Sequence, residues 1–152
     1  MLVVAVEEMD RPDLYISQLS FSDDTPDEGD TIELNAVLKL AKMNVTGEIQ
    51  VGFFLDDLET QIGSVLVDGS NLTKGIEGGM NVSVSWKAVA GTHTIFVVAD
   101  STDMVNEGSD DGEKNQLAKD ISVTSKETSN DTSIILLILV AVSYTHLTLP
   151  TK

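Results

Sequence analysis

Between Ile32 and Leu40 the sequence is apolar at every second position, Ile32, Leu34, Ala36, Leu38 and Leu40, with Glu33, Asn35 and Lys39 among the residues between them. A period of two puts successive side chains on opposite faces of an extended strand, so this segment has one dry face and one wet face. A helix turning every 3.6 residues or so would scatter the same apolar positions around its circumference. The pattern recurs along most of the chain. Leu14, Ile16, Leu19 and Phe21 predict a first strand whose phase break after Ile16 predicts a β-bulge. Ile49, Val51, Phe53 and Leu55 predict a third strand ended by Asp56 and Asp57, and Ile62, Val65 and Val67 a shorter return strand. Met80, Val82, Val84 and Trp86 share one face of a fifth. In a sixth, Ile95, Val97 and Ala99 alternate with Thr94, Phe96 and Val98, apolar on both sides, and Leu117, Ile121 and Val123 close a seventh. TPDEGD, with Pro26 and Gly29, makes a turn, and the glycine-rich stretch from Asp68 to Gly79 makes a loop. Alternation places Phe53, Phe96 and Trp86 in the core. The fold class is all-β, a seven-stranded Ig-like β-sandwich.

The charge excludes several partners. Nine basic residues stand against 25 acidic ones, a net charge of -16. Phosphate backbones and anionic lipid are bound by lysine and arginine clusters, so neither nucleic acid nor a lipid surface is an expected partner. The absence of cysteine removes disulfides, thiolate zinc sites and cysteine nucleophiles together.

Two features point to the outside of a membrane. Asn44, Asn71, Asn81 and Asn130 each open an Asn-x-Ser/Thr sequon, four of the seven asparagines, and are candidate glycosylation sites. The polar linker SKETSNDTS, residues 125–133, runs into the uncharged IILLILVAV, residues 134–142, as a stalk runs into a membrane. That run has nine residues where about 20 are needed to span, so it reads as the start of a truncated transmembrane helix, the only expected membrane contact. The segment that follows, VSYTHLTLPTK, resembles a translated sequencing adapter in its first six residues, and residues 143–152 are set aside as non-native. At the other end MLVVAV lacks the basic n-region and cleavage site of a signal peptide. Residues 1–10 read as the end of a preceding domain or linker, leaving residues 11–124 as the sandwich.

The order RPDLYISQLSF, EGDTIELNAVL, VGFFLDD with IGSVLV, NVSVSWKAVAGTHTIFVVAD and VNEGSDDGEKNQLAKDISV resembles the CARDB family, cell-adhesion-related domains of bacterial and archaeal surface proteins, over Arg11 to Val123. The stretch from Trp86 through Gly91, Thr92 and His93 to Asp100 carries most of the likeness. The chain departs from the family where KMNVTGE separates Asn44 from Gly47, and where Gln116 ends the run that begins at Glu113. The resemblance implies a seven-stranded Ig-like module, used in tandem or beside other domains as a spacer, adhesion or accessory unit and not as a catalyst.

The residues agree on catalysis. His93 and His146 are the only histidines, so no histidine triad or histidine metal cluster can be assembled. No serine sits in a Gly-x-Ser-x-Gly elbow, and GIEGG, residues 75–79, lacks the Gly-Lys-Ser/Thr ending of a phosphate loop. His93 is expected to hydrogen-bond locally near its turn.

One stretch concentrates oxygen ligands. Asp100, Asp103, Glu107, Asp110, Asp111, Glu113 and Asn115 lie between the sixth and seventh strands, and calcium takes six to eight oxygens or so from such groups. The EF-hand spacing is absent, so the candidate calcium site is irregular, and a solvated hairpin connection is its plain alternative. No other cofactor is expected. The functional expectation is a non-catalytic extracellular module of a membrane-anchored cell-surface protein, an adhesion or spacer domain. Its partners would be neighbouring domains of the same chain and another surface protein or a polysaccharide. One alternative is a carbohydrate-binding or accessory module of a larger secreted enzyme. That requires an exposed aromatic platform, for which Tyr15 and a few loop residues remain once Trp86 is buried. A third reading is the ectodomain of a transport or signalling protein.

Overall fold

The computed structural model describes residues 11–73, 79–107 and 115–127. Seven strands follow one another: β1 (Pro12–Phe21), β2 (Thr31–Lys42), β3 (Glu48–Leu55), β4 (Gln61–Asp68), β5 (Gly79–Lys87), β6 (Gly91–Val98) and β7 (Gln116–Val123). A 3-10 turn, Gly69–Asn71, follows β4. The strands form two sheets, β1-β2-β5 and β4-β3-β6-β7, with every neighbouring pair antiparallel. This is the expected all-β sandwich.

The core lies where the alternation puts it. Leu34, Leu38 and Leu40 of β2 face Ile49, Val51 and Phe53 of β3 and Ile95 and Val97 of β6, all fully buried or nearly so. Removing each such side chain from water contributes about 1.5–3 kcal/mol before ordering entropy is counted. The phase break in β1 is a bulge: Ile16 pairs with Leu38 and Gln18 with Val37, leaving Ser17 unpaired. That extra residue returns Leu19 and Phe21 to the inner face. A second irregularity, at Ile62, separates Phe53↔Gly63 from Phe54↔Gln61. Gly79, assigned to the loop by sequence, instead starts β5 opposite Lys39.

Lys119 breaks the apolar phase of β7 between Leu117 and Ile121, and its position explains why this is tolerated. It pairs with Ile95 at the sheet edge, its ammonium group lies 4.4 Å from the Phe21 ring centroid, and it reaches Asp24 at 2.8 Å. The stem covers apolar surface while the charge stays near water.

The path of the chain sets the geometry of function. Arg11 and Pro12 lie at the end of the sandwich that carries the β2–β3 loop, the 3-10 turn and the residues after β6, here the proximal pole. The chain leaves β7 at the opposite, distal pole, beside the β1–β2, β3–β4 and β5–β6 turns. There Thr124 bridges to Asp27, accepting from Glu28 N–H at 2.7 Å and donating to Pro26 O at 3.0 Å. Lys126 continues along the same turn, 3.5 Å from Asp30.

Candidate functional site

At the proximal pole the oxygen-rich connection begins at Asp100, which is 8% exposed and sits at φ +52°, in the left-handed region that aspartate tolerates better than most residues. Its Oδ1 accepts from Met104 N–H at 3.0 Å and its Oδ2 from Val105 N–H at 2.6 Å, while its carbonyl accepts from Asp103 N–H at 2.9 Å. A buried carboxylate is thus used to order the loop from within. Asp103 also has a positive φ, +53°, and is exposed. Glu107 turns back to β1, where its Oε2 accepts from Leu14 N–H at 3.1 Å. Burial pushes the Glu107 carboxyl above its ordinary value, and the charges of Asp100 and Asp13 add to that push. Hydrogen bonds from Leu14 and from the Asn115 side chain oppose it.

Four of the seven calcium candidates, Asp100, Asp103, Glu107 and Asn115, are therefore placed by the structure, and Glu107 joins Asn115 to the group around Asp100. Asp110, Asp111 and Glu113 lie outside the described residues. Among the described residues no group of three acidic or histidine side chains is placed to hold a metal ion. Beside this loop a cleft of about 410 Å³ is lined by Pro12, Asn44, Val45, Thr46, Met104 and Asn106, among others. Arg11 reaches across its rim to Asn106 at 2.9 Å. Asn44 and Asn71 are exposed at the same pole, and Asn81 is exposed on β5, an edge strand of its sheet. Asn130, the linker and the apolar run lie outside the described residues. No helix among the described residues is long and apolar enough to cross a membrane.

The distal pole carries His93, whose expected local hydrogen bond is joined by a second one to a distant turn. One ring nitrogen lies 3.1 Å from Val89 O, four residues away, but the other lies 2.8 Å from Asp56 Oδ2, in a different turn. Asp56, at φ +62°, also accepts from Thr94 N–H at 2.8 Å through Oδ1. The His93 hydrogen bond, then the Thr94 N–H, hold the Asp56 carboxyl below its ordinary value. The indole of Trp86 meets the His93 ring edge-on, centroids 5.8 Å apart, and Trp86 itself is 6% exposed. Trp86 is core, as its phase predicts.

Phe96 is not. Ile95 and Val97 take the inner face of β6, so Phe96 must point outward, and it is half-buried there opposite Phe54 of β3. The sixth strand is apolar on both sides, so alternation alone could not assign its faces. Only the register with β3, which pairs Phe96 with Phe54 and Val97 with Phe53, assigns them.

These features define a class, a seven-stranded Ig-like β-sandwich module through which the chain passes from pole to pole. More narrowly, the chain has a CARDB-like fold. It is similar to the CARDB domain of a Pyrococcus furiosus protein, solved in complex with di-metal ions, at TM-score 0.61 and 17% identity, covering 77% of this chain and 97% of that one. A solution structure of the same Pyrococcus furiosus domain gives TM-score 0.60 and 19% identity over 76% of this chain and 98% of that one. A domain, residues 272–376, of a putative cell surface protein from Methanosarcina acetivorans gives TM-score 0.55 and 20% identity, covering 79% and 98%. No family model matches the sequence, and no curated protein matches it.

Proposed function

We propose that this chain is a non-catalytic extracellular module of a membrane-anchored surface protein, serving as a spacer and adhesion domain. The observation that carries the reading is the chain path: arrival at the proximal pole, departure at the distal pole, and a departing strand tied to the β1–β2 turn by the Asp27–Thr124 bridge. A module built this way lengthens a chain by its own long dimension, about 40 Å for a strand the length of β2. The Methanosarcina neighbour, a domain of a putative cell surface protein, supports the location. The non-catalytic part is supported by how the chemically capable groups are used: His93 spans two turns and Asp100 orders its own loop.

Calcium belongs to the same proposal as an accessory ion of the proximal pole. Burial first, and the charges of Asp100 and Asp13 to a smaller extent, push the Glu107 carboxyl upward, and a divalent cation beside it would favour its charged form. The CARDB domain of the Pyrococcus furiosus protein was solved with di-metal ions. The deciding experiment is protease shaving of intact source cells, followed by detection with an antibody raised against the sandwich. Loss of the signal from unbroken cells is expected; loss only after permeabilisation would overturn the location and with it the surface function.

A further inference from the structure

Six of the seven asparagines lie among the described residues, and their side chains divide into two groups. Asn35, Asn106 and Asn115 stand outside any sequon, and each has its amide in use. Asn35 Nδ2 donates to Glu33 O at 3.3 Å, Asn106 Oδ1 accepts from Arg11 at 2.9 Å, and the Asn115 side chain hydrogen-bonds Glu107. Asn44, Asn71 and Asn81 open sequons, and among the described residues none of their amides has a hydrogen-bond partner. The same holds for the sequon hydroxyls of Thr46, Thr73 and Ser83.

The local backbone keeps these groups in solvent. In all three sequons the middle residue is buried, Val45, Leu72 and Val82, while the asparagine before it and the hydroxyl residue after it are exposed. On β5 this is the period of two: Val82 enters the core, so Asn81 and Ser83 share the outer face. At the proximal pole it is packing between two loops. Gly69 N–H donates to Gly47 O at 2.7 Å, and a Cβ built on Gly69 would fall 2.8 Å from Cγ1 of Val45, so the β2–β3 loop and the 3-10 turn lie in close contact. With Val45 and Leu72 seated in the core, Asn44 and Asn71 are left on the solvent side of neighbouring loops.

Attachment of a glycan to asparagine makes one bond and breaks one. Nδ2 attacks the anomeric carbon of an oligosaccharide carried on a lipid phosphate. The bond from that carbon to the phosphate oxygen breaks, the phosphate leaves with the electron pair, and the amide nitrogen gives up a proton. Nothing is oxidised or reduced. An amide committed to the fold, as at Asn35, must first break its hydrogen bond; the three sequon amides have none to break. Asn81 also has a favourable charge environment. It ends the uncharged row Gln18, Val37 and Asn81, and Ser83 ends the adjacent uncharged row Ser20, Asn35 and Ser83. Lys39 lies in the row on one side and Glu33 in the row on the other, so a phosphate-bearing donor meets one charge of each sign there despite the chain's net charge of -16.

We infer that Asn44, Asn71 and Asn81 are N-glycosylation acceptors, taking oligosaccharide from a lipid-phosphate-linked donor. Two glycans then stand at the proximal pole, where Asn44 lines the cleft, and one on the outer face of the three-stranded sheet. The inference rests on the extracellular location in the proposed function, because sequons are used in chains that leave the cytoplasm.

The test is peptide mass spectrometry of the chain purified from source cells. Trypsin cleaves after Lys42, Lys74 and Lys87, which places Asn44 and Asn71 in fragment 43–74 and Asn81 alone in fragment 75–87. Fragment 43–74 is expected at the mass of the peptide plus two glycans, and fragment 75–87 at the mass of the peptide plus one. Ser83→Ala, expressed in the same cells, removes the sequon hydroxyl at an exposed position. It should return fragment 75–87 to its unmodified mass while fragment 43–74 keeps both glycans. Either wild-type fragment found only at its unmodified mass overturns the inference, as does a glycan on fragment 75–87 that survives Ser83→Ala. Protease shaving separates this failure from failure of the location. Unmodified fragments from a chain that shaving removes from intact cells refute glycosylation alone, whereas a chain protected in intact cells refutes the location as well.

Discussion

Replacing Asp100 by asparagine separates the carboxylate's structural work from any role it has toward a cation. Asparagine is nearly isosteric with aspartate and shares its tolerance of positive φ, so the backbone at φ +52° gains no new strain. What changes is the side chain's capacity to accept. Both carboxylate oxygens now take backbone N–H bonds, from Met104 at 3.0 Å and Val105 at 2.6 Å. An amide offers one acceptor oxygen and turns an NH₂ group toward the other N–H, so one bond is lost and the survivor is no longer charge-assisted. A hydrogen bond to a charged partner contributes about 1.5–3 kcal/mol, so the expected loss is about 2–3 kcal/mol. For a domain of this size that lowers the melting temperature by roughly 8–12 °C.

Thermal unfolding followed by circular dichroism in excess chelator reads this loss without contribution from divalent ions. Amide hydrogen exchange supplies the local reading: Met104 and Val105 should lose protection while β2 and β3, remote from the loop, keep theirs. A shift below about 2 °C, with both amides still protected, would show that Asp100 does not hold the loop together, and the account of the proximal pole would fail. Repeating the melt in millimolar calcium then isolates the ion. A calcium-dependent rise in wild type that disappears in Asp100→Asn supports the accessory-ion proposal, whereas identical wild-type melts in calcium and chelator refute it.

Deletion of Ser17 should be tolerated despite falling inside a strand, because it removes the one unpaired residue and brings Leu14, Ile16, Leu19 and Phe21 into a single phase. Deletion of Asn35, from the regularly paired β2, should instead turn half that strand's apolar set to solvent and prevent folding; soluble expression and circular dichroism distinguish the two. Asp56 is depressed below its ordinary value, so the stability it adds is present above the unfolded carboxylate range near 3.8 and is lost as pH falls through the lower folded value. Urea midpoints should therefore fall on acidification below about pH 4, and Asp56→Asn should flatten that slope. Glu107 runs the other way: its raised value favours the protonated form in the folded state, so its contribution is lost as pH rises above the ordinary glutamate range. Glu107→Gln should raise the melting temperature at pH 7 in chelator and should weaken any stabilisation by calcium.

The legible parts of this fold are those where one side of a strand is wet. β2 could be assigned to its face because Glu33 and Lys39 mark the solvent side, and the β1 bulge because its phase break is bounded by apolar pairs on both sides. β6 offered no such mark. With Phe96 and Val98 as apolar as Ile95 and Val97, only pairing with β3 decides the inner face, and pairing is a property of residues some 40 positions apart. The same distance hid the His93–Asp56 contact. At the proximal pole the abundance of acids was legible but its division of labour was not. Sequence cannot distinguish a carboxylate that binds its own backbone, as Asp100 does, from one that faces solvent, as Asp103 does.

In the proposed spacer role, the pole-to-pole path also bears on which surfaces a string of such modules leaves free. Both poles adjoin covalent connections, and both carry carboxylates: Asp100, Asp103 and Glu107 at one, Asp23, Asp24, Asp27, Asp30, Asp56 and Asp57 at the other. Like charges facing across a junction repel over a Debye length of about 8 Å at physiological salt, which favours an extended string and makes its length sensitive to ionic strength. In that role the acid-rich poles serve spacing. The sheet faces, which point sideways from the axis, remain available to partners. Of these, the three-stranded face carries charges of both signs and the Asn81 sequon, while the four-stranded face carries the half-buried Phe54 and Phe96 between carboxylates at its two ends. In the proposed adhesive role, a partner would meet the surfaces that spacing leaves unused, and these are the two sheet faces and not the acid-rich poles.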